Sequence, residues 1–254
     1  MKKLSIYLFI SLFVAACQNP GSDASYRETL SGSYSSMLAI GNFLYAINDR
    51  DLSTFDISDE TNPVLIDKQN VGFLIENIYH SDGVLFLGSE GAMYIFVINE
   101  KGIPVKKSET TYFNAEGVTS CDPVIVNKNY AFVTLSTVNI QNSPCFRQLN
   151  INELRIYDVE DLENPELLSQ MSLQSPKGLA FDNDYLFVCL AYKGVAVIDV
   201  TDKAEPKIIN VLEKFESYDA IAKDGLLMVV CPTEIREYDY SDINNIKYLN
   251  SLKL

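Results

Sequence analysis

The chain has 254 residues, of which 47% are hydrophobic and 21% charged, a composition typical of ordinary globular proteins. Its formal net charge of −14 argues against nucleic-acid binding, because that function relies on basic residues that displace counterions from phosphates. The sequence contains one histidine, His80, and lacks the paired Cys and His spacings of zinc sites. We therefore expect no metal site and no cofactor.

Residues 1–16 are typical of a secretion signal, with a pair of lysines followed by an apolar run. That run is too short to cross a bilayer as a helix. Its end, VAAC at residues 14–17, resembles the lipobox of bacterial lipoproteins, which implies residues 1–16 as a lipoprotein signal peptide and Cys17 as the lipid attachment site. Within that resemblance Gln18 implies sorting to the outer membrane, in either the periplasmic or the surface-facing leaflet. We expect residues 17–33, which are polar, to form a tether.

Residues 34–254 contain five copies of an acidic turn with constant internal spacing. Successive copies begin about 40 residues apart, in the range of one propeller blade, except that the interval between the second and third copies is longer. The five copies are DISDETNP (56–63), VINEKGIP (97–104), DVEDLENP (158–165), DVTDKAEP (199–206) and DYSDINNI (239–246).

A second polar break precedes each acidic turn and separates two apolar runs. Such breaks are typical of hairpin turns, so each repeat should contain four strands. The pattern predicts an all-β fold, namely a five-bladed β-propeller of four-stranded antiparallel blades. The breaks lie at Gly41, Asp82, Lys128, Asp184 and Asp224.

The repeats resemble a known family. GVAVIDVTDKAEP at residues 194–206, LRIYDVEDLENP at 154–165 and LSTFDISDETNP at 52–63 are similar to the LVIVD repeat. The resemblance implies a β-propeller with an extracytoplasmic address and implies no activity. Val97 and Ile246 depart from the pattern in the second and fifth copies.

The third repeat carries its additional residues in two places, before its first strand and between its second and third strands. In an antiparallel blade both loops emerge on the same face, and each contains a cysteine. In an oxidising compartment this arrangement predicts a disulfide between Cys121 and Cys145. Phe146 and Arg147, in the longer insertion, are candidates for contact with a partner.

Two further cysteines, Cys189 and Cys231, lie on second strands. From the period of the repeat we expect both to be buried as small hydrophobic residues and to point the same way around the ring.

Three carboxylates, Glu76, Asp122 and Asp219, lie near the starts of first strands. Two carboxylates about 5 to 9 Å apart can act as acid and base in glycoside hydrolysis. These residues can equally cap loops, and His80 is expected to be structural. The favoured function is a lipid-anchored cell-envelope propeller that binds a protein or glycan partner, or acts as a scaffold, without catalysis; the alternative is a carbohydrate-active hydrolase that uses these carboxylates.

Overall fold

The structure is a computed structural model that describes residues 33–112, 123–136, 151–212 and 214–254. None of these residues forms a helix that could span a lipid bilayer. Seven residues named above lie outside the described residues, so the predictions made for them remain predictions. They are Cys17, Gln18, Cys121, Asp122, Cys145, Phe146 and Arg147.

The described residues form five four-stranded antiparallel sheets, and each sheet consists of four strands that are consecutive in the sequence. This confirms the predicted five-bladed β-propeller. The strands of blade 1 are Met37–Ile40 (β1), Phe43–Ile47 (β2), Asp51–Asp56 (β3) and Val64–Asn70 (β4); of blade 2, Ile75–Ser81 (β5), Val84–Ser89 (β6), Ala92–Ile98 (β7) and Pro104–Thr111 (β8); of blade 3, Val124–Asn127 (β9), Tyr130–Ser136 (β10), Asn152–Asp158 (β11) and Glu166–Ser172 (β12); of blade 4, Leu179–Asp182 (β13), Tyr185–Cys189 (β14), Val195–Asp199 (β15) and Lys207–Leu212 (β16); and of blade 5, Asp219–Lys223 (β17), Leu226–Val230 (β18), Glu234–Asp239 (β19) and Lys247–Lys253 (β20).

Tight hairpin turns join the first and second strands of every blade, where hairpins were predicted. The first residue of each turn has a positive φ, which matches the twist of tight hairpins. Only two of the five are glycine or asparagine, the residue types that adopt this conformation most readily. The five residues are Gly41, Asp82, Lys128, Asn183 and Asp224, with φ between 48° and 56°.

The acidic residues of the repeat form the turn between the third and fourth strands. In blade 4 the Asp199 Oδ1 atom accepts a hydrogen bond of 2.9 Å from the Thr201 backbone N–H, and Asp202 Oδ1 accepts one of 3.0 Å from Ala204. Blades 1, 3 and 5 repeat both bonds. These aspartates are therefore turn-forming residues, as their chemistry predicts.

Each blade also has a shift in register between its third and fourth strands. Such β-bulges increase the local twist of a sheet, and a common position in all five blades gives the blades a common shape. The shifts follow Thr54, Ile95, Ile156, Val197 and Glu237.

The hydrophobic core is divided into four clusters, each between two consecutive blades. In the cluster between blades 4 and 5, Phe187 and Cys189 face Val229 and Cys231. Both cysteines are buried, as predicted, but the prediction that they point the same way around the ring was wrong.

The spacing of the hairpin turns explains the orientation of Cys231. The turn of blade 4 begins at Asn183 and that of blade 5 at Asp224. The prediction for Cys231 used the spacing of the acidic turns, which begin at Asp199 and Asp239. The two hairpin turns are one residue further apart than these acidic turns. Because successive side chains of a strand point to opposite faces, the side chain of Cys231 lies on the face opposite to the one predicted.

No such cluster joins blade 5 to blade 1 among the described residues. The side chains on the two facing sheets, such as Met228 and Leu44, are only half-buried. Their equivalents in blade 4, Phe187 and Leu186, are both 0% exposed. The fifth interface of the ring is therefore more open than the other four.

A short polar segment, residues 33–36, links blade 5 to the start of the first blade. Ser33 is 1% exposed; its hydroxyl donates a hydrogen bond of 2.7 Å to Asp219 and accepts one of 2.9 Å from the Leu179 N–H. The nearby Ser35 carbonyl oxygen accepts a hydrogen bond of 2.8 Å from the Ile78 N–H of blade 2. Ser33, the last residue of the predicted tether, is thus part of the packed propeller.

Candidate functional site

One face of the propeller, here called the insertion face, carries the connections between blades and the loops that join second to third strands. The two insertions of the third repeat follow β8 and β10, which both end on this face. The acidic turns lie on the opposite face. The insertion face is therefore where the repeat varies most and where we sought a functional site.

Asp219, one of the predicted carboxylates, lies at the start of β17 and makes structural hydrogen bonds. Its Oδ1 atom accepts hydrogen bonds from the Ser33 hydroxyl at 2.7 Å and from the Ala220 N–H at 2.9 Å. Burial raises the pKa of Asp219, while the hydrogen bonds from Ser33 and Ala220 act in the opposite direction. Asp219 holds residues 33–36 in place, which agrees with a capping role.

Glu76 lies on β5 in blade 2, which is not adjacent to blade 5 in chain order. It is close enough to Lys177 to act on the lysine electrostatically: burial lowers the pKa of Lys177, and the Glu76 charge partly offsets that effect. Asp219 accepts a hydrogen bond from Ser33, whereas Glu76 acts electrostatically on Lys177. The arrangement gives no direct support to a shared acid and base pair, and Asp122 lies outside the described residues.

His80 and the two buried cysteines have structural environments. The Nε2 atom of His80 accepts a hydrogen bond of 3.0 Å from the Gly83 backbone N–H in the adjacent turn. Burial raises the pKa of both Cys189 and Cys231, so their thiols stay protonated and unreactive. In the described part of the chain, no group of three or more His, Cys, Asp or Glu side chains could hold a metal ion.

A groove of about 680 Å³ lies between the outer parts of blades 3 and 4 and includes, at its insertion-face end, Gln174, Tyr192, Lys193 and Lys214. Its floor is aliphatic, and its rim contains two lysines, a tyrosine and a glutamine. Sequence reasoning did not identify this groove. The lining residues are Ser172, Leu173, Gln174, Leu190, Tyr192, Lys193, Ile208, Val211 and Lys214.

Two lysines line the rim of the groove. Neither Lys193 nor Lys214 lies within ion-pair distance of a carboxylate belonging to the described residues. Tyr192, next to Lys193, is 73% exposed. Within the described parts of the chain, the rim therefore presents two lysines without ion-pair partners and an accessible phenol.

The hairpin that carries Tyr192 and Lys193 is held by backbone and hydroxyl hydrogen bonds. Within the hairpin, the Lys193 N–H donates to the Leu190 carbonyl at 2.9 Å. Ser217, in the connection to blade 5, donates through its hydroxyl to the Gly194 carbonyl at 2.6 Å and through its N–H to the Ala191 carbonyl at 2.9 Å. The rim is thus positioned by the neighbouring blade.

Three non-glycine residues with positive φ surround the groove. They are Ser175 at 49°, Ala191 at 46° and Lys214 at 76°. Non-glycine residues in this region are strained, and such strain is concentrated at functional sites. Four of the five other non-glycine residues with positive φ lie in the hairpin turns of the opposite face.

The family model of the LVIVD repeat matches residues 31–71 and 177–212. The first match covers blade 1 and the segment before it, and the second covers blade 4. No curated protein sequence matches this chain.

Solved structures share the fold at low sequence identity. AztD of Citrobacter koseri superposes with a TM-score of 0.55 at 14% identity, over 82% of this chain and 58% of AztD. The periplasmic gluconolactonase PpgL of Pseudomonas aeruginosa gives 0.60 at 10%, over 84% and 68%. BamB of Moraxella catarrhalis gives 0.56 at 12%, over 77% and 53%. The chain spans about three fifths of the length of the solved chains that it matches.

Proposed function

Because this chain is a β-propeller with LVIVD repeats, we propose that it is a lipid-anchored module of the cell envelope that binds a partner on its insertion face without catalysis. The observation that carries the proposal is the groove between blades 3 and 4, with its aliphatic floor and two lysines that form no ion pair with the described residues. Concave sites with a mainly apolar lining and a few polar groups are typical binding sites.

The proposed location rests on the sequence. The lipobox-like residues 14–17 support lipid attachment at Cys17, and several acyl chains together give stable anchoring. The polar residues 17–33 would then separate the propeller from the membrane. We expect metabolic labelling with an alkyne analogue of palmitate to mark the wild-type protein and to be lost in Cys17→Ser; retained labelling would contradict the anchor.

The alternative function, carbohydrate hydrolysis, would use the carboxylates near the starts of the first strands. Asp219 is buried and bonded to Ser33, and Glu76 lies beside Lys177. The solved structures with this fold carry names of different kinds, one of them a gluconolactonase, so the fold leaves activity open. Incubation with a glycan library separates the two functions. Release of product that is lost in Glu76→Gln would favour the hydrolase.

Site-specific photocrosslinking tests the binding surface. A photoreactive amino acid at Tyr192 in intact cells should give a discrete adduct, because this side chain is 73% exposed at the rim of the groove. The control carries the same amino acid at Glu205, an exposed position in the acidic turn of blade 4 on the opposite face. An adduct of equal yield at Glu205, or none at Tyr192, would contradict a partner on the insertion face.

A further inference from the structure

We infer that the groove between blades 3 and 4 binds an acidic polypeptide segment in which aliphatic side chains accompany the carboxylates. This inference rests on the proposed function and specifies the chemistry of the partner. It is carried by the lining of the groove, the charges on its rim and the backbone strain around it.

The floor of the groove favours aliphatic side chains. Leu173 and Leu190 are buried at its base, while Ile208 remains 47% exposed and Val211 half-buried. A ligand that covers Ile208 and Val211 would remove apolar surface from water. Aliphatic side chains of an extended polypeptide fit such a floor.

The rim favours negative charge. Lys193 and Lys214 lack ion-pair partners among the described residues, although the chain has 34 acidic residues and only 20 basic ones. A protein with this net charge repels acidic ligands over most of its surface, so a local pair of lysines defines where an acidic segment can approach. Carboxylates placed between the two ammonium groups complete ion pairs that the described part of the propeller does not supply.

The composition of the lining distinguishes a polypeptide from a glycan. Sugar rings stack on flat aromatic side chains, and the lining contains one aromatic residue, Tyr192, at its rim. The four aliphatic residues of the floor offer no comparable platform. Tyr192 and Gln174 instead provide hydrogen-bonding groups that can reach the backbone of an extended segment.

Backbone strain supports a functional role for this rim. Ala191 precedes Tyr192, and Lys214 itself has a φ of 76°, so both cationic elements of the rim lie at or near strained positions.

Fluorescence anisotropy tests the inference with a fluorescein-labelled peptide that alternates glutamate with leucine and valine. We expect saturable binding to the full chain, and affinity about tenfold lower for the double variant Lys193→Gln, Lys214→Gln, since two rim ion pairs are lost. Lys101→Gln, which replaces an exposed lysine on the opposite face, should bind like the wild type. Unchanged thermal unfolding of the double variant shows that the fold is retained.

Two matched peptides complete the test. Replacing every glutamate by glutamine, or every aliphatic residue by glycine, should each weaken binding. Equal affinity for the glutamine peptide, or for the double lysine variant, would overturn the inference. If Tyr192 crosslinks to a partner while acidic glycans bind and the peptide does not, the inference fails and the proposed function stands. Absence of both crosslink and peptide binding would remove both.

Discussion

The Ser217 hydroxyl donates a hydrogen bond of 2.6 Å to the Gly194 carbonyl oxygen, so a residue that leads into blade 5 fixes the hairpin of blade 4. This bond lies beside the bridge between Ala191 and Ser217 that connects the two blades. Ser217 is 0% exposed, so water cannot replace its hydroxyl.

Replacing Ser217 by alanine should therefore remove one of the two hydrogen bonds that the buried Gly194 carbonyl accepts, while the Leu190 N–H still donates the other at 2.7 Å. We expect the free energy of unfolding to fall by about 1 kcal/mol. Photocrosslinking from Tyr192 should weaken at the same time, because the hairpin that carries it is less well fixed. Ser53→Ala is the control, since the Ser53 hydroxyl makes no hydrogen bond with any described residue. Equal urea midpoints for the two variants would show that the Ser217 contact contributes nothing.

Thr54 offers a stabilising substitution. Its hydroxyl is buried and has no hydrogen-bond partner among the described residues, while the equivalent positions in blades 2, 3 and 4 are isoleucine or valine. Thr54→Val should raise the free energy of unfolding by about 1 kcal/mol. Thr134→Val should have the opposite effect, because the Thr134 hydroxyl donates a hydrogen bond of 2.7 Å to the Lys177 carbonyl. Thermal unfolding of both variants measures the contrast, and a change of the same sign in both would refute it.

The open fifth interface predicts unequal tolerance of charge on the two sides of β18. Val229 is 0% exposed in the core between blades 4 and 5, whereas Met228 is half-buried on the sheet face that points toward blade 1. We expect Val229→Asp to cost more than about 3 kcal/mol and Met228→Asp to stay within about 1 kcal/mol. Soluble expression and urea unfolding report both. Comparable losses would mean that blades 5 and 1 pack as tightly as the others.

Asp219 should make stability depend on pH in an unusual direction. Burial raises the pKa of Asp219 in the folded state. The stability that Asp219 contributes is therefore fully present at pH values below its pKa in the unfolded chain, about 3.9, and is lost as pH rises through the higher pKa of the folded state. Relative to the wild type, Asp219→Asn should gain stability as pH rises from about 4 to neutral.

Asp56 provides the opposite control. Hydrogen bonds from Ser58 lower the pKa of Asp56, so its contribution is present above the unfolded pKa and is lost as pH falls through the folded one. Asp56→Asn should therefore be less stable than the wild type at neutral pH, and the difference should shrink in acid. Urea unfolding at several pH values measures both variants. Parallel pH profiles for Asp219→Asn and the wild type would contradict the effect of burial.

The predicted disulfide between Cys121 and Cys145 remains open to test. Closing a loop of this size should stabilise the fold by roughly 3 kcal/mol on the chain-entropy model. Mass spectrometry of non-reduced peptides should recover the linked pair, and dithiothreitol should lower the unfolding temperature of the wild type but not of Cys121→Ser, Cys145→Ser. Alkylation of both thiols in the folded protein would exclude the bond.

The repeat architecture could be predicted from sequence because each blade is specified locally. Alternating strands, tight hairpin turns and aspartates that bond to their own backbone all act over short distances along the chain, so the period reveals them. The orientation of Cys231 was missed because a single additional residue between the hairpin turns reverses the side of a strand on which a residue lies. That one position decides which core a side chain enters.

The candidate site could not be predicted in the same way. The groove brings together residues of two blades between Ser172 and Lys214, and no short motif connects Lys193 with Lys214. The open fifth interface could have been predicted from one residue of the sequence. Glu237 occupies the position that Val197 fills in blade 4, and a charged side chain there is incompatible with a closed apolar core.

Each sheet of the described residues is formed by four strands that are consecutive in the sequence. No blade in this part of the chain combines a strand from the beginning of the propeller with strands from its end. During synthesis every blade can therefore finish its own hydrogen bonds before the next one has been made, and successive blades can add to a growing stack. The bond between Ser33 and Asp219 spans 186 residues and must wait until β17 has appeared. It ties the segment that precedes blade 1 to blade 5, and closing a loop of that length carries a cost in chain entropy.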